Sequence, residues 1–257
     1  MTIPTEPYPA GVPCWTDLMV ADPASVQPFY SQVLGWTFTE PNAEYGGYVM
    51  GMVDGLPMAG MGPLQPGSRT AWTMYIASDD ADAAAARVAE AGGTVLAPPM
   101  DVSDLGRMFV AQDPTGAVFG VWQAGTFPGG AANQPGGLVW EDLRSSGPDI
   151  AREFYGQVFS YTYDSVAMAP DDYTTFAAGD DPRPRGGIGG LMGAEDVPSH
   201  WLITFMVADM SRAVAAAADT GGAVPIPPFE TEYGLMAGLT DPAGAAFWVM
   251  EPIADAS

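Results

Sequence analysis

Two carboxylates, Asp17 and Asp142, sit in matching pentapeptides, CWTDL at Cys14–Leu18 and VWEDL at Val139–Leu143, each two residues beyond a tryptophan. Side chains alternate along a strand, so each Asp shares a face with its own indole, Trp15 or Trp140. Held beside an indole and away from water, a carboxylate loses hydration, its pKa rises, and it becomes a general acid or base near neutrality. The competing reading is that each Asp accepts hydrogen bonds from backbone or from an Arg and keeps the strand opening in shape. Arg144 lies two residues past Asp142 on the same face, where the first copy carries Met19. One face would then meet a polar or anionic group and the other an apolar one, unless Arg144 simply pairs with Asp142. His200, in S-H-W, is the only histidine. It offers either an acid/base or ligand group or a hydrogen-bonded structural imidazole.

Composition narrows the chemistry. The 257 residues carry 8 basic and 31 acidic side chains, a formal charge of −23, which argues against nucleic acid as a partner. Every basic residue is Arg, so neither Schiff-base chemistry nor a P-loop lysine is available. A single His excludes sites needing two imidazoles from one chain, and a single cysteine, Cys14, excludes an internal disulfide. No apolar run approaches a membrane span, and the N-terminus lacks the basic and apolar regions of a signal peptide. The expectation is a soluble, cytoplasmic protein without a membrane partner. Its acidity serves solubility.

The elements that must position these residues come in duplicate. FYSQVLGW from Phe29 recurs as FYGQVFSY from Phe154, 125 residues on, the same offset as for the two tryptophans. AGGTVLAPP from Ala91 matches TGGAVPIPP from Thr220, and DPTGAVFGVW from Asp113 matches DPAGAAFWVM from Asp241. The chain therefore reads as two homologous halves, 1–124 and 138–257, joined by the Gly/Pro-rich linker 125–137. Within a half the period switches in a fixed order. A strand at Trp15–Val20 leads through Asp22-Pro23, an N-cap with Pro at N1, into a helix through Gln32. Short strands follow around Tyr48–Val53 and Met58–Met61. The order then repeats with a strand at Trp72–Ala77, a helix over 80–91, and strands near Thr94–Leu96, Met108–Gln112 and Val118–Trp122. Each half is thus two βαβββ units. RPRGGIGGLMG, Arg183–Gly193, is followed by no helix and reads as a strand-bend-strand, not a phosphate loop.

The D-x6-FY-x3-LGW stretch of Asp22–Trp36, the AGG closing the second helix and the DPTG and DPAG hairpins resemble the vicinal oxygen chelate superfamily, which includes glyoxalases, extradiol dioxygenases and bleomycin-resistance proteins. More narrowly, the tandem halves opening on W-x-D or W-E-D are similar to bacterial glyoxalase-like proteins of this length. Those include secreted-antigen homologues and accessory proteins of anthracycline-type polyketide clusters. The resemblance implies an α+β fold: a tandem repeat of two vicinal-oxygen-chelate domains, four βαβββ units forming cupped mixed sheets around cavities. Which units share a cup stays open. In the enzymatic branch the cup holds a divalent metal. The ligand positions carried over by that resemblance are Trp15, Thr73 and Gly120 in one half and Trp140, Leu202 and Trp248 in the other. These residues imply no metal and no other cofactor.

Trp15, Trp72, Trp140, Trp201 and Trp248 all fall at or next to cavity-lining positions of that family, and indoles in place of ligands suit a flat aromatic guest. Trp36 and Trp122 read as structural. Glu141 faces away from Asp142, toward solvent or a domain contact, and Arg107 toward a surface ion pair. Two function classes follow. One is a metal-independent tailoring protein that uses Asp17, Asp142 or His200 on a hydrophobic aromatic natural product, as a monomer or homodimer working with a tailoring oxygenase. The other is an antibiotic-sequestering resistance protein without catalysis. A metal-dependent lyase or dioxygenase is disfavoured by the emptied ligand positions.

Overall fold

The structure, a computed structural model, describes residues 6–65, 67–166, 172–179, 181–193 and 196–253. The first half runs β1 (Pro13–Val20), α1 (Pro23–Leu34), β2 (Thr37–Phe38), β3 (Val49–Val53), β4 (Leu56–Pro63), then β5 (Ala71–Ala77), α2 (Ala81–Glu90), β6 (Thr94–Val102), β7 (Gly106–Gln112) and β8 (Val118–Ala124). The second repeats it with β9 (Leu138–Arg144), α3 (Pro148–Phe159), β10 (Thr162–Ser165), β11 (Thr174–Ala178), β12 (Asp181–Gly189), β13 (His200–Met206), α4 (Met210–Asp219), β14 (Ala223–Thr231), β15 (Gly234–Thr240) and β16 (Ala246–Pro252).

Side-chain caps fix the helix starts. Asp22 accepts the Ala24 amide at 3.1 Å, Asp80 that of Ala83 at 2.9 Å and Asp209 that of Arg212 at 2.9 Å. Gly35 ends α1 at φ +74°, a conformation that glycine adopts without strain.

Each half closes its own eight-stranded mixed sheet, in the orders β2-β3-β4-β1-β5-β8-β7-β6 and β10-β11-β12-β9-β13-β16-β15-β14. The two unit-opening strands pair antiparallel at the centre, β1 with β5 and β9 with β13, and each lies parallel to the last strand of its own unit. Both units of a half therefore share one cup. β6 and β14 run past the prolines at which the sequence reading stopped. They are edge strands, where a missing N–H costs no ladder bond.

All four helices pack into one core between the two sheets. Phe29 of α1 meets Phe247 of β16 edge-on at 6.0 Å, and Phe119 of β8 meets Tyr155 of α3 at 5.5 Å. The FY and DP motifs join here. Tyr30 donates to Asp241 Oδ2 at 2.9 Å, while Asp241 Oδ1 caps its own hairpin through the amides of Ala243 and Ala245. The 125–137 stretch is fastened along its length. Gly130 N donates to Cys14 O at 2.8 Å, Ala131 N to Pro57 O at 2.7 Å and Gly136 N to Met206 O at 2.8 Å.

Candidate functional site

On β1, Thr16, Leu18 and Val20 are buried toward the helices, so Trp15, Asp17 and Met19 face the cup; β9 repeats this with Trp140, Asp142 and Arg144. Thr73 and Leu202 are the Cα partners of Asp17 and Asp142, and Gly120 that of Tyr75, so the carried-over ligand positions lie on the cup faces.

In the N-terminal cup, Asp17 Oδ2 accepts from Tyr75 at 3.1 Å and Tyr48 at 3.4 Å, and Tyr48 in turn accepts Trp15 Nε1–H at 3.2 Å. Asp17 Oδ1 is buried with no partner among the described residues. Loss of hydration pushes the Asp17 carboxyl from 3.8 up to about 7, against the lowering pull of the Tyr75 and Tyr48 hydroxyls. Tyr75 lies over Gly120 and Tyr48 over Gly60; a Cβ at either glycine would collide with the ring.

In the C-terminal cup, Asp142 accepts from Tyr173 at 2.8 Å, Trp140 Nε1 at 3.2 Å and Arg144 Nη2 at 3.1 Å. Arg144 also stands 5.4 Å from the centre of the Tyr173 ring, a cation–π arrangement. His200 is the Cα partner of Arg144, and its Nδ1 donates to Pro198 O at 2.9 Å. Trp140 and Trp248 are half-buried, and Phe229 meets Trp248 edge-on at 5.8 Å.

Trp72 and Trp201, expected on the cavity wall, lie on the other face. Trp72 packs on Tyr30, Trp36 and Phe205, and Trp201 donates to Tyr155 OH at 2.9 Å. Each sits one residue out of phase with the cup positions Thr73 and Leu202, and one step along a strand changes the face. Trp36 is core, as read, but Trp122 belongs to the N-terminal cup, where its Nε1 donates to Phe127 O at 3.0 Å. Glu141 is buried at the contact between the halves. Lost hydration, then the Asp142 charge, raise it from 4.5 to about 8. Arg107 forms surface ion pairs with Asp82 and Asp101. The Arg183–Gly193 stretch does not bend in its first part but continues β12 to Gly189. Its glycines make room: a Cβ at Gly187 would strike the Tyr173 hydroxyl, and one at Gly189 would lie 2.8 Å from the ring.

Sequence reasoning missed the phenols. Tyr48 and Tyr173 stand 125 residues apart, the offset of the two Trp–Asp pairs, and each lies over glycines of the neighbouring strand, so the repeat itself carried the signal.

The donor set does not fit the superfamily's metal. Indoles, a glycine and a leucine hold five of the six positions, and the ring of Tyr75 takes the space where a Gly120 side chain would project. No group of three or more His, Cys, Asp or Glu able to hold an ion occurs among the described residues.

The fold is that of the vicinal oxygen chelate superfamily. It superposes on the Mn(II)-bound glyoxalase of Novosphingobium aromaticivorans with a TM-score of 0.68 at 16% identity, over 94% of this chain and 82% of that one. The 2,3-dioxygenase LapB of Pseudomonas sp. KL28 gives 0.67 at 15% identity, over 94% and 93%. A family model described as a glyoxalase-like domain matches residues 15–122. The anthracycline biosynthesis protein DnrV of Streptomyces peucetius is 36% identical over 95% of this chain and 94% of its own. The Mycobacterium tuberculosis protein CFP32 is 36% identical over 95% of this chain and 96% of its own. The chain belongs to this tandem glyoxalase-like family. No helix among the described residues is long and apolar enough to cross a membrane.

Proposed function

We propose that the protein binds a flat, hydrophobic, oxygen-rich aromatic molecule of the polyketide or anthracycline kind, without a catalytic metal, in association with natural-product biosynthesis. The observation that carries this is the presence of half-buried indoles, Trp140 and Trp248, where the superfamily keeps metal ligands. Stacking contributes about 0.5–1.5 kcal/mol per ring pair beyond area burial. The relatives named for anthracycline biosynthesis support the ligand class.

Binding is favoured over turnover by the state of the carboxylates. Asp17 titrates near neutrality but lies beneath two phenols with its unpartnered Oδ1 buried, and Asp142 is paired with Arg144, so neither carboxylate is placed to reach a substrate proton. Both hold neighbouring donors in place.

Titration of Trp fluorescence with anthraquinones tests the reading. Quenching should saturate, and Trp140→Ala should weaken binding by at least about 1 kcal/mol. No binding below the millimolar range across a panel would refute it. Turnover that slows in Asp17→Asn or Asp142→Asn at unchanged affinity would restore the enzymatic alternative. Elemental analysis after dialysis should find no stoichiometric Zn, Ni, Fe or Mn; an ion lost on changing Asp17 or Asp142 would reverse the metal assignment.

A further inference from the structure

We propose that the two cups have parted in use. The C-terminal cup takes the aromatic ligand and seats an acceptor oxygen of the ring edge on Arg144, whereas the N-terminal cup is closed by its own side chains. This rests on the aromatic-ligand reading and adds which cup serves it and through which polar contact.

The two cups differ in one row of residues across the sheet centre. In the first, Trp15, Tyr75 and Gly120 are successive Cα partners on β1, β5 and β8, with the Tyr75 ring laid over Gly120. In the second, the row is Trp140, Thr204 and Trp248. Bulk that stands on the middle strand in the first cup stands on the outer strand in the second.

In the first cup the middle phenol seals the row. Trp15 is 5% and Tyr75 6% exposed, the Trp15 N–H and Asp17 Oδ2 are spent on the phenols, and Asp17 Oδ1 is buried. The connecting stretch then covers what is left. Phe127 meets Trp15 edge-on at 4.9 Å and Trp122 at 6.0 Å, and the N-terminal segment is fastened over the same stretch by Tyr8, whose hydroxyl donates to Gly130 O at 2.6 Å. Trp15 and Tyr75 are left too little exposed surface to stack a guest, and Trp122 borders only a small cavity beside Tyr8 and Pro128, off the row.

In the second cup Thr204 is buried beneath its neighbours, and the indoles of Trp140 and Trp248 remain half-buried, extended outward by the 40% exposed Phe229. Arg144 replaces Met19 at the end of the indole floor. Asp142 takes one of its N–H groups and the Tyr173 ring lies against the guanidinium, whose other donors have no protein partner among the described residues. A guanidinium paired with a carboxylate still donates to a quinone carbonyl, a phenolate or a ring carboxylate, with less net attraction for an anion than an unpaired Arg would have.

The test uses the full chain and rhein, an anthraquinone carboxylate, with its uncarboxylated parent as control, by calorimetry, alongside acrylamide quenching of Trp emission without ligand. Expected are one site per chain, at least a tenfold loss of affinity in Trp248→Phe and in Arg144→Met, and no loss in Trp15→Phe or Phe127→Leu. The acrylamide-accessible emission should disappear with Trp140→Phe and Trp248→Phe and persist in Trp15→Phe and Trp122→Phe. Circular dichroism confirms that each variant folds. Two sites per chain, affinity that follows Trp15 or Phe127, or Trp15 and Trp122 emission as accessible as that of Trp248 would overturn the division of labour and leave the aromatic-ligand reading intact. Binding that ignores Arg144→Met overturns the polar seat. Absence of binding by either quinone, with accessibility still divided as expected, overturns the ligand reading and the ligand assigned to this cup.

Discussion

Asp17→Asn should flatten the dependence of stability on pH. Burial raises the Asp17 carboxyl to about 7 in the folded protein, whereas the unfolded chain releases this proton near 3.8. Between those values the folded state holds a proton that the unfolded state has lost, so stability falls as pH rises and levels off above about 7. The slope is about 1.4 kcal/mol per pH unit and halves near pH 7, so Asp17 alone removes roughly 2 kcal/mol between pH 5 and 7. Asn is nearly isosteric and carries no titrating proton. Urea unfolding of both proteins from pH 5 to 8 reads the difference, and the growing repulsion among the other acidic groups cancels in it. The variant should match or fall below wild type at pH 5 and exceed it at pH 8. Parallel curves would mean that Asp17 is ionised throughout, and that water reaches its carboxylate.

Glu141→Gln should show the same sign over a window extending to about pH 8, because burial raises Glu141 in the same direction. Gly120→Ala should destabilise by about 1–3 kcal/mol in thermal or urea unfolding, since its methyl meets the Tyr75 ring. Trp72→Ala should cost about 3–5 kcal/mol of stability with ligand affinity per folded molecule unchanged, because Trp72 packs between the sheets and away from either cup.

The parts of the fold that were legible are those encoded by local period and by repetition. Asp22-Pro23, Gly35 and the 125-residue offset mark elements that local geometry then builds. The alternation Trp15–Asp17–Met19 correctly gave the face of each, because burial of Leu18 and Val20 pins the register of β1. Trp72 and Trp201 failed for the same physical reason run backward: an indole next to a cup position lies on the opposite face. The pairing of Tyr30 with Asp241 spans 211 residues, and the covering of Trp15 by Phe127 depends on how a Gly/Pro-rich stretch is laid down. Neither has a local signature. The glycines of β12 looked like a bend because a sequence shows the missing side chain and not the Tyr173 ring that fills its place.

The row that separates the two cups can itself be exchanged. Thr204 and Trp248 are Cα partners, as are Tyr75 and Gly120, so Thr204→Tyr with Trp248→Gly rebuilds the N-terminal row in the C-terminal cup. Thr204→Tyr alone drives a phenol into the indole of Trp248 and should destabilise by about 1–3 kcal/mol. Trp248→Gly alone strips the support from Phe229 at a half-buried position and should cost about 1–3 kcal/mol. Together, the phenol occupies the space that the indole vacates, and the double variant should recover more than 1 kcal/mol relative to the sum of the singles, a coupling that only neighbours show. It should also lose ligand binding, because the floor is replaced by a sealed row. Additive stability losses would show that the two side chains do not share one space, and retained binding would show that the indole of Trp248 is not part of the floor.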